Sequence, residues 1–184
     1  GPETEPMTLD IIEFSIISAK PSQHQKENWI INPRVKMQKV GSISPQDLML
    51  VLDEPISLWI VGSSSKRGKN AFVPEDRIKE VTDSLSLIHP TFFAIHVLTD
   101  DFMGRQSRQV RGEFSHNGVE YNLKITDPVV EIKYRAREDG IYKIQNALLT
   151  ISLTEKIFRP RNNHSAGFYK VIAGAIELPE RGLK

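Results

Sequence analysis

The chain has 184 residues, 39% of them apolar, with a formal charge of +1 and no cysteine. That apolar share supports a folded core, and the near-neutral balance excludes a global polyelectrolyte field, so any basic footprint must be local. Without cysteine there is no disulfide scaffold, thiolate metal site or cysteine nucleophile. Apolar runs such as "LMLVL" (48–52) fall far short of the ~20 residues a membrane helix needs. No basic lead opens the chain after Met7, so the expectation is a soluble, cytoplasmic protein that does not meet a membrane.

Residues 1–6, "GPETEP", read as a cloning scar and spacer ahead of Met7. The next stretches are strand-like and carry many β-branched residues: "IIEFSIISA" (11–19), "NWIINPRVKMQKVGSI" (28–43), broken at Pro33, and "SLWIVG" (57–62). "SLSLIHPTFFAIHVL" (84–98), "QVRGEFSH" (109–116), "VEYNLKIT" (119–126), "PVVEIKYR" (128–135), "LLTISL" (148–153) and "FYKVIAGAIEL" (168–178) continue the series. Asn117-Gly118 separates two alternating runs and fits a type I′ hairpin turn, which would bring Phe114 near Tyr121.

Helical signals are short. Ser44-Pro45 with Asp47 gives a capped start before "LMLVL", and Pro74-Glu75-Asp76 opens a second turn with Ile78 and Val81 three apart. Linker-like stretches are "GSSSKRGKN" (62–70), "TDDFMGRQSRQ" (99–109) and "EKIFRPRNNHSAG" (155–167). The pattern predicts a mainly β fold, and the chain length suits two tandem OB-type five-stranded barrels with one or two short helices. The barrels would span 7–83 and 84–178, with 179–184 as a tail; a single β-sandwich is the alternative.

No catalytic signature is present: there is no GxSxG, GxxxxGK[ST] or HExxH. The histidines at 24, 89, 96, 116 and 164 lack metal-ligand spacing, so no metal or cofactor is expected. The basic signal is "KIFRPRNNHSAGFYK" (156–170), where Lys156, Arg159, Arg161 and Lys170 alternate with Phe158, Phe168 and Tyr169. Arginines hold phosphates while aromatic rings stack on bases. Arg105, Arg108 and Arg111 form a second basic set, and Lys66, Arg67 and Lys69 a third. "GSSSKRGKN" lacks the Gly-Lys-Ser/Thr ending of a phosphate-cradling loop and reads first as a polar connector. A polar set, Gln25, Glu27, Asn28 and Trp29 with Thr126 and Asp127, could line a pocket. Equally, these groups could satisfy local backbone, with Trp29 as a core anchor.

In order and spacing, "QKENWII" (25–31), "DLMLVLDEPISLW" (47–59), "SLSLIHP" (84–90), "VRGEFSHNGVEYNLKITDP" (110–128) and "LLTISLTE…FYKVIAGAI" (148–176) resemble the dual OB-domain-containing proteins of bacteria and phages. The likeness runs over most of residues 11–177. It implies two OB-type barrels packed as one unit and a role in nucleic-acid recognition, often in defence against mobile elements. It places a polar signature on Gln25, Glu27, Asn28, Trp29, Thr126, Asp127 and Pro128, with Arg111 and Tyr121 in the hairpin. The loop "KPSQHQ" departs from the glycine- or cysteine-containing loop of other members.

The leading expectation is a non-enzymatic module that binds single-stranded or structured nucleic acid, DNA or RNA. One alternative is a small-ligand sensor that takes a nucleotide or modified base in the polar pocket. Another is an adaptor that docks a protein from a neighbouring gene through a strand edge such as "VVEIKY".

Overall fold

The computed structural model describes residues 5–102, 105–158 and 166–179. Its first four strands are Asp10–Glu13 (β1), Ile16–Ala19 (β2), Trp29–Ile31 (β3) and Gln38–Ser42 (β4). β1 pairs with β4 and β2 with β3, all antiparallel, as two separate two-stranded ribbons. The run 11–19 therefore divides at Phe14-Ser15 instead of forming one strand. Ile16, Ile17, Trp29, Ile30 and Ile31 are all exposed. Apolar neighbours in a strand point to opposite faces, so one covering layer could not bury Ile30 and Ile31 together.

Pro45–Leu48 (α1) follows as the cap pattern predicts: Ser44 Oγ accepts from the Asp47 amide at 3.1 Å and Pro45 sits in the first turn. "SLWIVG" is irregular instead of a strand. Trp59 adopts a positive φ of 55°, which breaks an extended run, and the Leu58 amide donates to the Tyr121 hydroxyl at 3.0 Å. Phe72–Pro74 (β5), a 3₁₀ turn over Glu75–Glu80 and Leu85–Ile88 (β6) complete this part.

The remaining elements are Phe92–Phe102 (β7), Arg105–His116 (β8), Val119–Ile125 (β9), Pro128–Arg135 (α2), Gly140–Ile144 (β10), Ala147–Leu153 (β11) and Gly167–Glu177 (β12). β7, β8 and β9 form a meander, and β9 runs parallel to β12 at Val171↔Lys124. β12 pairs with β11, while β10 pairs back onto β7. β10 and β11 are separated only by Gln145-Asn146 and run in the same direction, so they act as one bent strand. The ladder thus returns to β7 through that bend. Counting it as one strand leaves five, with a helix between the third and fourth, the Greek-key plan of an OB-type barrel.

The barrel's core follows from strict alternation. On β9, Tyr121, Leu123 and Ile125 point inward, each 0% exposed. Asn117 and Gly118 have φ of 48° and 77°, as the expected I′ turn requires. They set Phe114 opposite Tyr121, with the rings stacked at 5.0 Å. Leu58 and Ala71 join this core from outside the barrel. Val73, Ile78 and Val81 form a second core with Leu153 and Phe168.

"PVVEIKYR" is helix α2, not a strand. Asp127 Oδ1 accepts from the amides of Val129 (2.9 Å) and Val130 (3.1 Å), Pro128 opens the first turn, and Val130 and Tyr134, one turn apart, are buried. The adaptor expectation that rested on a strand edge here loses its basis.

Candidate functional site

The outward positions of β8, β9 and β12 form one continuous face. The two-residue turn sets the register, so Arg111 lies directly across from Lys124. Parallel pairing then brings in Val171, and two residues back along β12 the Tyr169 side chain points the same way. Arg111 donates through Nε to Asn122 Oδ1 (2.7 Å) and through Nη2 to the Asn122 carbonyl (2.9 Å). Burial, and secondly the charge of Arg67, pull its pKa below the ordinary value; the nearby Tyr169 acts the other way.

Phe158 is 53% exposed and meets the Tyr169 ring edge-on at 5.3 Å, while Phe72 packs on Tyr169 at 5.6 Å. Rings, guanidinium and ammonium therefore share one surface. Its acids are engaged: Glu113 faces His96 at 2.7 Å, Glu120 pairs with Lys69 and Asp100 with Arg67. No ion pair among the described residues takes up Lys124 or Lys66.

The sequence candidates divide sharply. Arg111 and Phe158 lie on this surface, and exposed Lys156 precedes Phe158. Arg108 pairs with Asp139 at 3.2 Å and donates to the Arg137 carbonyl, which ties β8 to the segment after α2. Arg159 and Arg161 lie outside the described residues, as does the Arg105 side chain. Two candidates are corrected. Phe168 is 5% exposed in the second core and packs against His24 at 4.8 Å. Lys170 is 1% exposed; its Nζ donates to the Ile60 carbonyl at 2.6 Å, and burial pushes its pKa down to about 7. Neither can stack on a base or hold a phosphate. Alternation along β12 explains this: Phe168 and Lys170 share the inward parity of Ile172, and Tyr169 does not.

The polar set does not converge. Glu27 Oε1 accepts from the Ser84 amide at 2.9 Å and from the Ser84 hydroxyl. Burial opposes its charge, but these bonds and the His24 ring outweigh it and hold the carboxyl below its usual range. Gln25 Nε2 donates to the Leu153 carbonyl at 3.4 Å, Asn28 Nδ2 donates to Gln25 at 3.0 Å, and His24 Nε2 lies 3.1 Å from the Thr154 carbonyl. This loop is a clasp between ribbon β2–β3 and the end of β11. Trp29, expected to wall a pocket or anchor a core, is 56% exposed. Thr126 binds the Ile172 carbonyl at 3.3 Å, and Asp127 Oδ2 accepts from the Ala175 amide at 3.1 Å. No hydrogen bond or ion pair among the described residues joins Asp127 to Glu27. An open cleft is lined by Pro74, Glu75, Asp76, Arg77 and Ala166, none of them from the polar set.

Lys124 and Asn122 escaped the sequence reading. The signal was present: a two-residue turn at 117–118 pairs 116 with 119 and hence 111 with 124.

An OB-type barrel whose second, third and fifth strands carry cations and rings on their outer face belongs to a class that commonly takes oligonucleotides or oligosaccharides on strands two and three. The chain matches the family model described as the dual OB-containing domain over residues 2–175, and it belongs to that family. Comparison with curated proteins and with solved structures finds no match. Among the described residues no helix is long and apolar enough to cross a membrane.

Proposed function

We propose that this protein is a non-catalytic nucleic-acid-binding module that takes a strand across the outer face of β8, β9 and β12. Arg111 and Lys124 contact phosphates. Tyr169 and the exposed Phe158 offer ring faces and edges to unstacked bases, a mode that tolerates sequence and favours single strands. The observation that carries this reading is the single surface shared by Phe158, Tyr169, Arg111 and Lys124 on strands that OB barrels use for oligonucleotides. The connection between β11 and β12 carries Lys156, Phe158, Arg159 and Arg161.

The test is an anisotropy titration with single- and double-stranded DNA and RNA at two salt concentrations. Binding should weaken steeply with salt as counterions are released. Arg111→Gln and Lys124→Ala should each lower the salt slope by about one, whereas Tyr169→Ala should weaken single strands by about tenfold with the slope unchanged. No affinity for any of the four at low salt would overturn the reading. A nucleotide-sensing pocket gains no support, because the polar groups expected to line it are engaged with backbone and with one another.

A further inference from the structure

The segment 62–70 is an ordered loop docked on the barrel. Its turns are closed internally: the Gly62 amide donates to Asn70 Oδ1 (2.7 Å), the Asn70 amide to Ser64 Oγ (3.1 Å) and the Gly68 amide to Ser65 Oγ (3.0 Å). It is fastened to β9 by the Asn122 amide, which donates to the Lys69 carbonyl (3.1 Å), and by Asn70 Nδ2, which donates to the Glu120 carbonyl (2.8 Å). A Cβ at Gly68 would lie 3.0 Å from Arg111 Nη2 and 2.5 Å from the Ala71 Cβ, so the loop backbone rests against the Arg111 guanidinium in a way a larger residue would prevent.

Arg67, next to Gly68, reaches over the outer face to Asp100 on β7. Its Nη1 is buried and has no hydrogen-bond partner. Among the described residues Arg111 bonds to the neutral Asn122 and to no acid. Two guanidiniums thus stand close on one surface, and among the described residues Asp100 pairs with Arg67 while no carboxylate pairs with Arg111. Like charges held together with a buried donor unmatched are costly, and an anion with several acceptor oxygens relieves both defects. Planar guanidinium forks match a phosphate better than a lysine would.

We propose that Arg67 and Arg111 form a phosphate-binding site, built jointly by the 62–70 loop and the barrel, with Asp100 holding Arg67 in place until a phosphate displaces it. The site takes a phosphate group, whether from a nucleic-acid backbone or free in solution. The backbone source rests on the function proposed above. The contact is made by side chains, since the loop leads into strand β5 and not into the helix of a phosphate-cradling loop.

The experiment pairs Arg67→Gln with Asp100→Asn in the full chain, with melting curves to confirm that each folds. One arm titrates a labelled single-stranded oligonucleotide at two salt concentrations. The other follows thermal stabilisation by inorganic phosphate against chloride at matched ionic strength. Arg67→Gln should weaken oligonucleotide binding about fivefold and lower the salt slope by about one; Asp100→Asn should tighten binding about threefold. Unchanged affinity and slope in both variants, with the wild type binding normally, would overturn this site and leave the proposed function standing. If the wild type binds no oligonucleotide, the proposed function fails. In that case phosphate stabilisation lost in Arg67→Gln assigns the site to free phosphate, and its absence in the wild type overturns the site as well.

Discussion

Strands β8 and β9 and ribbons β1–β4 draw on similar residue types and dispose of them differently. On β9 every second residue is buried, and each inward side chain meets a partner across the barrel. On β2 and β3 every residue is exposed, although Ile16, Ile17, Ile30 and Ile31 are as apolar as anything in the core. The difference lies in order, not in composition. Alternation puts apolar groups on one face, where a second layer can cover them; adjacent pairs put them on both faces of a two-stranded ribbon. Stability in this chain is therefore concentrated in the barrel, and ribbon β2–β3 is tethered to it by the clasp around Glu27.

Substitutions can break or sharpen that contrast. The largest effect is expected for Phe114→Ala, which empties the stacked pair at the barrel's centre and should cost about 3–5 kcal/mol in urea unfolding. Ile30→Ala, a comparable loss of apolar bulk on a ribbon, should stay within about 0.5 kcal/mol. A ribbon substitution as costly as the barrel one would mean that the ribbons are covered in solution. Next is the clasp: Glu27→Ala leaves the amide and hydroxyl of buried Ser84 without their acceptor, at about 1–3 kcal/mol by the same unfolding measurement.

Lys170 gives a pH signature. Its folded-state pKa of about 7 lies below the ordinary value of 10.5, so the native state binds the proton less well than the unfolded chain does. Stability from this group is therefore lowest below pH 7 and rises between about pH 7 and 10.5. The melting temperature should climb by several degrees across that window, and Lys170→Met should flatten the climb; an identical profile in the variant would place Lys170 in a wetter setting. The smallest effect on stability belongs to the proposed binding face. Lys124→Ala should change unfolding by no more than about 0.5 kcal/mol while altering the salt dependence of binding.

Much of the barrel was legible in the sequence because its rules are local. Asn117-Gly118 announced the hairpin, and the Ser44-Pro45 start announced α1. Helix α2 was missed because "PVVEIKYR" has enough β-branched residues to pass for a strand; the deciding features were Asp127 as cap and Pro128 in the first turn. The binding candidates at 156–170 mixed two faces of one strand. Basic and aromatic identity drew Phe168 and Lys170 into the set, but parity along β12 turns them inward and leaves Tyr169 outward. The clasp could not be foreseen, because Glu27 finds its partner in Ser84, far along the chain. The packing of Leu58 and Ala71 against the barrel is equally non-local.

The most direct test is amide hydrogen exchange with and without a saturating single-stranded oligonucleotide. New protection should appear in β8, β9, the start of β12 and the 62–70 loop, with the ribbons at 10–42 unchanged. Protection confined to the ribbons, with β8 and β9 unaffected, would contradict the account.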